Sequence, residues 1–318
     1  MPCRKDTKSN PRISYSRSDM FDLVVVGHLA IDLISSPRIA LPKPTLGGPP
    51  TYVSLAASKL DAKVSIISEV GEDFPDDYIE RLNANGVDLS GLKYVKNALT
   101  TRFALKYGNE GRQLQLISRA PPITLEDIPS SLEARAIHVA PIADELTVRA
   151  VSKLRTLTAT LSLDPQGFVR RFGEHGSAFQ KQWDDRYVLG QIDIYKSSLN
   201  EIRMITGLTD LRLAMEEIRD YGVGIVIVTK GRRGAAFLCD KKFYEIPACE
   251  PRVFLDSTGA GDAFTGAFLA EYIRGKDTVW CICVGSAAAS FVVEGVGPEV
   301  FGEKKNVYER AAEIHKAF

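Results

Sequence analysis

Short runs of β-branched residues that end at a glycine alternate with helical segments along this chain. Phe21–Val26 is the first run and is followed by Gly27, and Val64–Val70 is the second and ends at Gly71. The pattern of residues 47–60 between them predicts a turn and then a helix with one apolar face. A strand, a helix and a strand in this order predict a parallel crossover unit. The start of the chain therefore indicates an α/β fold.

The same alternation returns in the second half of the chain. The predicted strands there are Ala136–Ala140, Thr160–Asp164, Ile192–Lys196 and Ile225–Thr229, with helical patterns between them. We expect a hairpin around residues 231–234, and helices over the apolar stretches 279–293 and 307–318. Together these segments predict one doubly wound α/β domain over residues 21–318, with a mainly parallel sheet flanked by helices.

One stretch has a different character, because apolar and polar residues tend to alternate in it. Thr101–Tyr107 and Arg112–Ser118 both alternate, and Asn-Glu-Gly at 109–111 lies between them. This pattern predicts a hairpin in a sheet with one exposed face. We therefore expect a small β lid, built from residues at about 34–48 and 99–119.

The charge balance and the lack of long apolar runs exclude several classes of protein. Lys+Arg and Asp+Glu both number 40, so the formal net charge is zero, which argues against a nucleic-acid-binding protein. No apolar run approaches the roughly 18 to 20 residues that a membrane span needs. Residues 1–20 are basic, polar and aperiodic, and we expect a disordered tail there, or Met20 as the true start. We expect a cytoplasmic protein that binds neither nucleic acid nor membranes.

The glycine-rich segment 255–275 carries the strongest indication of chemistry. Gly259, Ala260 and Gly261 let the backbone approach a ligand closely, and the residues after them predict a helix. Free N–H groups and the helix dipole at such a helix start favour a phosphate or a developing anion. Asp262 lies in the first turn, where an acidic residue is also common as a plain stabiliser of the helix.

Two other glycine-rich nucleotide motifs do not fit the chain. A P-loop needs G-x-x-x-x-G-K-[ST], and that string is absent. A dinucleotide-binding fingerprint needs a third glycine where Phe264 stands, and it needs a place near the first strand. An oxidoreductase that binds a dinucleotide is therefore disfavoured.

The string DSTGAGD at Asp256–Asp262 resembles the D-[TS]-x-G-A-G-D signature of the ribokinase/PfkB family of sugar kinases. The resemblance extends over roughly residues 21–318. Four further segments are similar to motifs of that family, namely Gly27–Asp32, Gly47-Gly48, Gly71–Asp73 and Thr229–Gly234. The resemblance implies a ribokinase-like fold and a kinase that uses ATP with Mg²⁺, and it leaves room for a monovalent cation.

The resemblance also implies roles for single residues. Asp262 matches the family's catalytic base, and the backbone of Gly259, Ala260 and Gly261 matches its anion hole. Glu201 matches an acid that organises Mg²⁺ through a water molecule. The residues implied to bind the nucleotide are Ser198, Thr229, Gly231, Gly234, Thr258, Gly259 and Gly261. Those implied to bind the acceptor are Asp32, Gly47, Gly48, Tyr52, Arg119, Asp164, Gln166 and Arg170.

Two departures from the family pattern point to one of its branches. Ser198 stands where the N-x-x-E motif has asparagine, and Tyr52 stands where the family usually has asparagine after the double glycine. Both resemble the myo-inositol kinase branch, as do the strings Lys196–Glu201, Asp164–Arg170 and Arg119–Ile123. The resemblance thus implies a small polyol or sugar as acceptor, with myo-inositol favoured. A ribokinase-like sugar or nucleoside kinase and a non-catalytic sugar-binding relative stay open, as do a monomer and a homodimer.

Overall fold

The computed structural model describes residues 20–35, 44–108 and 111–317. The predicted tail before Met20 and the part of the predicted lid at 36–43 lie outside the described residues. The strands are β1 (Phe21–Val26), β2 (Ala30–Ser35), β3 (Pro44–Gly47), β4 (Val64–Gly71), β5 (Val87–Val95), β6 (Thr101–Gly108), β7 (Gly111–Ser118), β8 (Ala134–Val139), β9 (Thr158–Leu163), β10 (Arg170–Phe172), β11 (Ala178–Gln180), β12 (Ile194–Ser198), β13 (Ile225–Thr229), β14 (Ala235–Cys239) and β15 (Lys242–Ile246).

The helices follow the strands in chain order. They are α1 (Pro49–Ser58), α2 (Asp76–Ala84), α3 (Val148–Arg155), α4 (Gln166–Val169), α5 (Leu199–Thr206), α6 (Leu211–Asp220), α7 (Ala260–Tyr272), α8 (Thr278–Val292) and α9 (Lys304–Ala317). Short 3₁₀ turns lie at Glu174–Gly176, Arg186–Gln191 and Gly231–Arg233.

The larger sheet has the strand order β15-β14-β13-β12-β9-β8-β1-β4-β5. Neighbours from β13 to β5 are parallel, whereas β13 with β14 and β14 with β15 are antiparallel. The predicted doubly wound α/β fold with a mainly parallel sheet is confirmed. The carboxyl ends of the parallel strands share one edge of the sheet, where open α/β folds bind their ligands.

Helices cover both faces of this sheet, because successive side chains of a strand point to opposite faces. Val24 and Val26 of β1 pack in a core with α3, α5 and α6. Leu23 and Val25 pack in a second core with α1, α7, α8 and α9. Burial on both sides explains the continuous apolar runs from which the strands are predicted. None of the helices described is long and apolar enough to cross a membrane.

Besides the short pair β10 and β11, three strands escape the sequence prediction. β5 and β15 are the two edge strands of the larger sheet, and Asp88, Ser90 and Gly91 interrupt any apolar pattern in β5. An edge strand is half exposed and does not need a continuous apolar run. The third is β2. Residues 27–32 resemble a family motif and no strand is predicted there, but Asp32 lies inside β2.

A second sheet lies across the ligand-binding edge of the larger one, with the strand order β3-β2-β6-β7. β2 and β6 are parallel, and the other two pairs are antiparallel. The hairpin predicted over residues 101–118 is confirmed as β6 and β7. The inner face is apolar: Phe103 and Leu105 of β6 and Leu114 of β7 pack against Ile142, which follows β8.

His28 fastens the two sheets to each other. Its Nε2 donates to the carbonyl of Pro121 at 2.9 Å. A neutral imidazole carries one ring proton, so its Nδ1 accepts from the Thr101 hydroxyl at 2.8 Å. Burial lowers the pKa of His28 and keeps the ring neutral. Glu145 accepts from the backbone N–H groups of His28 and Ile142, both at 3.0 Å, and so holds the loop after β8.

Candidate active site

A cleft opens between the second sheet and the loops at the carboxyl ends of the parallel strands. It holds ≈ 450 Å³ of empty space counted out to its open mouth. The apolar part of its lining comes from β6, β7 and the loop after β8, and the polar part comes from β2, α4, β10 and the glycine-rich segment before and in α7. The lining residues are Asp32, Gly48, Pro49, Tyr52, Phe103, Leu105, Leu114, Ile142, Gln166, Arg170, Thr258, Gly259 and Asp262.

Helix α7 begins directly after a glycine in the left-handed conformation. Gly259 has a φ of 75°, and a Cβ added to it would overlap the ring of Tyr52, so a larger residue does not fit. The Ala260 N–H donates to the preceding turn at 3.3 Å. The N–H groups of Gly261 and Asp262 have no acceptor among the described residues. Two unbonded N–H groups at a helix start suit a phosphoryl oxygen.

The carboxylate of Asp262 faces the cleft from the first turn of α7. Within the described part of the chain no residue donates a hydrogen bond to it, so its oxygens can accept a proton from a ligand. Burial raises the pKa of Asp262 to about 7; the Lys196 ammonium opposes the shift, and the Asp164 and Glu201 carboxylates add to it. A carboxylate that titrates near neutral pH suits a general base.

Lys196 lies behind this helix start, and the sequence analysis assigned it no role. Its Nζ donates to Oδ2 of Asp164 at 2.7 Å, and both side chains are buried. A Cβ added to Gly261 would lie 2.9 Å from Nζ, so the ammonium group directly adjoins the backbone of α7. Burial lowers the pKa of Lys196, but the carboxylates of Asp164, Asp262 and Glu201 outweigh that effect and raise it. A lysine inside the apolar strand β12 was the signal available in the sequence.

Two acids that were predicted to serve ligands already have protein partners. Asp164 accepts from Lys196 and, through Oδ1, from the backbone N–H of Gln166 at 3.2 Å. Glu201 Oε2 accepts from the Ser198 N–H at 2.7 Å, and the Ser198 hydroxyl accepts from the Glu201 N–H at 3.3 Å. This reciprocal pair caps the start of α5. The ligand-binding roles of Asp164, Ser198 and Glu201 stay predictions.

The double glycine makes room for Asp32. A Cβ added to Gly47 would overlap the Asp32 carboxylate, and one added to Gly48 would overlap the carbonyl oxygen of His28. Gly48 also has a φ of 84° and precedes α1 directly. Asp32 is 4% exposed and lines the cleft from β2, and its carboxylate lies against the backbone of Gly47.

A hydrogen bond joins the second sheet to the glycine-rich segment. The Thr258 hydroxyl donates to Asp256 Oδ1 at 2.8 Å, because a carboxylate only accepts. A hydroxyl has one proton, so Tyr107 Oη is the donor in its 2.8 Å bond to Thr258 Oγ1. The end of β6 is thereby fastened over the start of α7. Tyr107 had no signal in the sequence, since an aromatic residue in a strand is ordinary.

The remaining predicted acceptor residues separate into two groups. Gln166 and Arg170 line the cleft, and Arg170 Nη1 donates to the Ile142 carbonyl at 3.4 Å. Arg119 does not belong to the lining: it is exposed, and its guanidinium group lies 5.7 Å from the ring centre of Phe172. The structure therefore gathers Asp32, Tyr52, Gln166 and Arg170 around one space and leaves Arg119 outside it.

The predicted nucleotide loop lies beside the start of α5. Thr229 is the last residue of β13 and pairs with Ser198 at the end of β12. The hairpin to β14 contains Gly231 and Gly234, and a Cβ added to Gly234 would overlap the backbone after β15. Ser198 and Thr229 thus lie side by side at the ends of neighbouring strands, and Gly231 and Gly234 follow in the next loop. Their role in binding the nucleotide stays a prediction.

The sequence profile of the pfkB family of carbohydrate kinases matches residues 20–304. This chain belongs to the pfkB family. The expected phosphotransferase activity is therefore that of its family, and the glycine-rich helix start described above lies within the matched part of this carbohydrate kinase.

Relatives of this pfkB-family kinase include nucleoside kinases. A cytidine kinase of Thermococcus kodakarensis is 29% identical over 287 residues, which are 87% of this chain and 98% of the relative. A nucleoside kinase of Methanothermobacter thermautotrophicus is 29% identical over 293 residues, which are 87% of this chain and 91% of the relative. A solved pyrophosphate-dependent kinase of the ribokinase family, in complex with sulfate, has a TM-score of 0.78 and 25% identity over 90% of this chain and 99% of its own. The protein is thus a ribokinase-type sugar or nucleoside kinase.

Proposed function

We propose that this kinase transfers the terminal phosphoryl group of ATP to a hydroxyl of a small polyol or sugar, with Asp262 as the base. The observation that carries the proposal is the composition of one helical turn. The unbonded N–H groups of Gly261 and Asp262 and the carboxylate of Asp262 all lie there. One turn can therefore accept the proton of the attacking hydroxyl and stabilise the charge on the transferring group.

The residues of the cleft act on three parts of the reaction. A polyol hydroxyl is a poor nucleophile near pH 7, and the Asp262 carboxylate takes its proton as the oxygen attacks the terminal phosphorus in line. The bond from that phosphorus to the bridging oxygen of the donor breaks, and ADP leaves. The N–H groups of Gly261 and Asp262 stabilise the phosphoryl oxygens. The second sheet, which Tyr107 fastens to Thr258, acts as a lid that excludes water.

Mg²⁺ fits this site as an ion that the donor phosphates and one carboxylate would hold. No group of three His, Cys, Asp or Glu side chains suited to a metal ion occurs in residues 20–35, 44–108 or 111–317. Glu201 keeps Oε1 unbonded within the same residues. One or two carboxylates together with substrate phosphates are the usual ligands of Mg²⁺ in kinases. When bound, the ion neutralises phosphate charge.

Myo-inositol is the acceptor that we propose first. Tyr52 and the strings Lys196–Glu201 and Asp164–Arg170 support it through their resemblance to the myo-inositol kinase branch. The polar lining residues Asp32 and Gln166 support it too, because a carboxylate can accept hydrogen bonds from two neighbouring hydroxyls of a ring.

A nucleoside is the second candidate, and two observations favour it. Phe103, Leu105, Leu114 and Ile142 give the cleft an apolar wall. Such a wall suits a planar base better than a ring that carries a hydroxyl on every carbon, since an unpaired hydroxyl is costly to bury. The relative from Thermococcus kodakarensis, a cytidine kinase, is similar over nearly its whole length.

A phosphorylation assay over several acceptors and donors tests the proposal. We expect product from ATP and myo-inositol, measured by coupled ADP release and by phosphorus NMR of the product. Cytidine, adenosine, ribose and fructose 6-phosphate are the competing acceptors, and pyrophosphate and ADP the competing donors. Phosphorylation of cytidine without phosphorylation of inositol would move the proposal to its second candidate. Turnover with none of these acceptors would contradict the proposed acceptor class.

Tyr52 allows a test in which two readouts change in opposite directions. Its ring lines the cleft and is 1% exposed, and its hydroxyl has no hydrogen-bond partner among the described residues. We expect Tyr52→Phe to stabilise the free enzyme by about 1 kcal/mol, because an unpaired buried hydroxyl is costly. We expect the same change to raise the KM of the acceptor about fivefold or more, because the bound acceptor loses a hydrogen bond.

Thermal unfolding without ligand and steady-state kinetics measure the two effects of this substitution. Tyr195→Phe is the matched control, since that ring is equally buried but does not line the cleft. We expect the control to leave the acceptor KM unchanged. A loss of stability in Tyr52→Phe, or an unaltered acceptor KM, would contradict an acceptor-binding role for the Tyr52 hydroxyl.

A further inference from the structure

One buried ion pair adjoins the reacting groups, and the proposed mechanism does not use it. Lys196 of β12 and Asp164, which follows β9, are 4% and 1% exposed, and Nζ and Oδ2 are 2.7 Å apart. Asp164 is held in turn by the backbone N–H of Gln166. The ammonium group is therefore fixed in place, and its 2.9 Å distance from a Cβ added to Gly261 puts it against the backbone of α7.

The ammonium group faces more acids than its one hydrogen-bonded partner. The carboxylates of Asp164, Asp262 and Glu201 all interact with Lys196 electrostatically. Asp262 in turn faces Lys196, Asp164, Glu201 and the guanidinium group of Arg170. Arg170 lines the open cleft, so Lys196 is the buried cation of this group, and the charge on Asp262 depends on it more than on any other side chain.

The other titratable groups around the pair do not compete for this role. His138 of β8 faces Lys196, and burial, followed by the charge of Lys196, lowers its pKa to about 3, so it stays neutral. Tyr52 faces Asp262 from α1, and burial, followed by the charges of Asp32 and other acids, raises its pKa well above the ordinary value, so the phenol stays protonated. Neither group carries a charge near pH 7.

We propose that Lys196 is a positioning residue for this reaction: its ammonium group, fixed by Asp164, keeps Asp262 ionised and adds positive charge behind the N–H groups of Gly261 and Asp262. Lys196 acts through Asp262 and the backbone, because it adjoins Gly261 but is not among the residues that line the cleft. The inference rests on the proposed function, since it matters only if Asp262 is the base. It goes beyond that function by assigning the ionisation of the base to a side chain that the proposed mechanism does not use.

The two members of the ion pair give opposite predictions, which a purely structural role would not. Lys196→Met removes the cation, and we expect the pKa of Asp262 to rise by about 1 or more. Asp164→Asn removes an anion but keeps an oxygen that can accept from Lys196, and we expect the pKa of Asp262 to fall. If the pair only held β9 and β12 together, both substitutions would change the protein in the same direction.

The pKa of Asp262 can be measured without any substrate. Each protein is compared with its own Asp262→Asn derivative, and the difference between their thermal unfolding midpoints is followed against pH. A raised folded-state pKa makes ionised Asp262 unfavourable, so the parent loses stability relative to its derivative as pH rises, until Asp262 is fully ionised. We expect this loss to end near pH 7 in the unaltered protein, at higher pH in Lys196→Met and at lower pH in Asp164→Asn.

The kinetic arm uses the acid limb of kcat/KM with ATP and myo-inositol, and with cytidine in parallel. The midpoint of this acid limb should move in the same direction as the pKa of Asp262 measured without substrate. At an acidic pH where Asp262 is mostly protonated in both proteins, kcat/KM of Lys196→Met should be about tenfold lower than that of the unaltered protein for each pH unit by which the limb has moved. Lys59→Met is the matched control, because Lys59 and Glu303 are also 2.7 Å apart but lie at the surface. We expect no movement of either readout in that control.

The outcomes separate this inference from the proposed function. Equal or same-direction movement of the Asp262 pKa in Lys196→Met and Asp164→Asn would overturn the role of Lys196, even in an active kinase. Opposite movement of the pKa in a protein that phosphorylates neither acceptor would support it while contradicting the proposed acceptors. If Lys196→Met does not fold, Lys196→Met with Asp164→Leu replaces it, since removing both charges of a buried pair is often tolerated. A rise of the Asp262 pKa is expected there as well, because Lys196 acts on Asp262 more strongly than Asp164 does.

Discussion

Asp262→Asn is expected to lower kcat by about 10²- to 10⁴-fold and to leave the fold intact, because an amide cannot take the proton of the attacking hydroxyl. The first turn of α7 keeps its N–H groups and its glycines in this variant, so binding of the donor should change little. Steady-state kinetics with ATP and the acceptor identified by the phosphorylation assay measure the loss. A variant with a near-normal rate would remove Asp262 from the role of base.

The same substitution has an expected effect of known sign on stability. The pKa of Asp262 is raised from 3.8 to about 7, so the folded state holds this proton more tightly than the unfolded state. Ionisation of Asp262 therefore costs stability progressively between about pH 4 and about pH 7. The asparagine variant avoids this cost, and we expect it to unfold at a higher temperature than the parent at pH 8. The difference should shrink as the pH is lowered towards 4.

The pH dependence of the unaltered kinase follows from the same carboxylate. Asp262 must be ionised to accept a proton, so kcat/KM should fall about tenfold for each pH unit below about 7 and level off above it.

Asp277→Asn is the matched control for Asp262→Asn, because Asp277 also lies at a helix start and accepts from the Trp280 N–H at 3.0 Å. That control should change neither the rate nor the pH profile.

The part of the site that could be predicted from the sequence is the part made by one continuous segment. The DSTGAGD string predicts a helix start with an acid and free N–H groups, and the structure has all of these on one turn. Backbone conformation and local spacing decide such a site, so residues close in the chain are sufficient to predict it. The strands β1 and β13 were predictable for a similar reason, since burial on both faces leaves a continuous apolar run.

The parts that could not be predicted depend on contacts between distant segments. Lys196 and Asp164 belong to different parts of the chain, and only the pairing of β9 with β12 brings them together. Tyr107 reaches Thr258 across 151 positions of the chain. Arg119 shows the opposite case: a motif predicts it in the acceptor site, but its side chain, directly after β7, is exposed over Phe172 and does not line the cleft. Sequence spacing does not encode which face of a lid strand meets a ligand.

Gly259→Ala is expected to lower kcat/KM by about 10²-fold or more, because the added methyl group would overlap the ring of Tyr52 and displace the start of α7. We also expect a loss of about 2 to 4 kcal/mol in the free energy of unfolding, from the overlap and from an L residue at a φ of 75°. Gly275→Ala separates these causes, because Gly275 has a φ of 77° and no atom within 4 Å of an added Cβ. That control should lose only about 1 kcal/mol and keep its activity. Equal losses of activity in both variants would show that backbone strain, and not the contact with Tyr52, makes glycine necessary before α7.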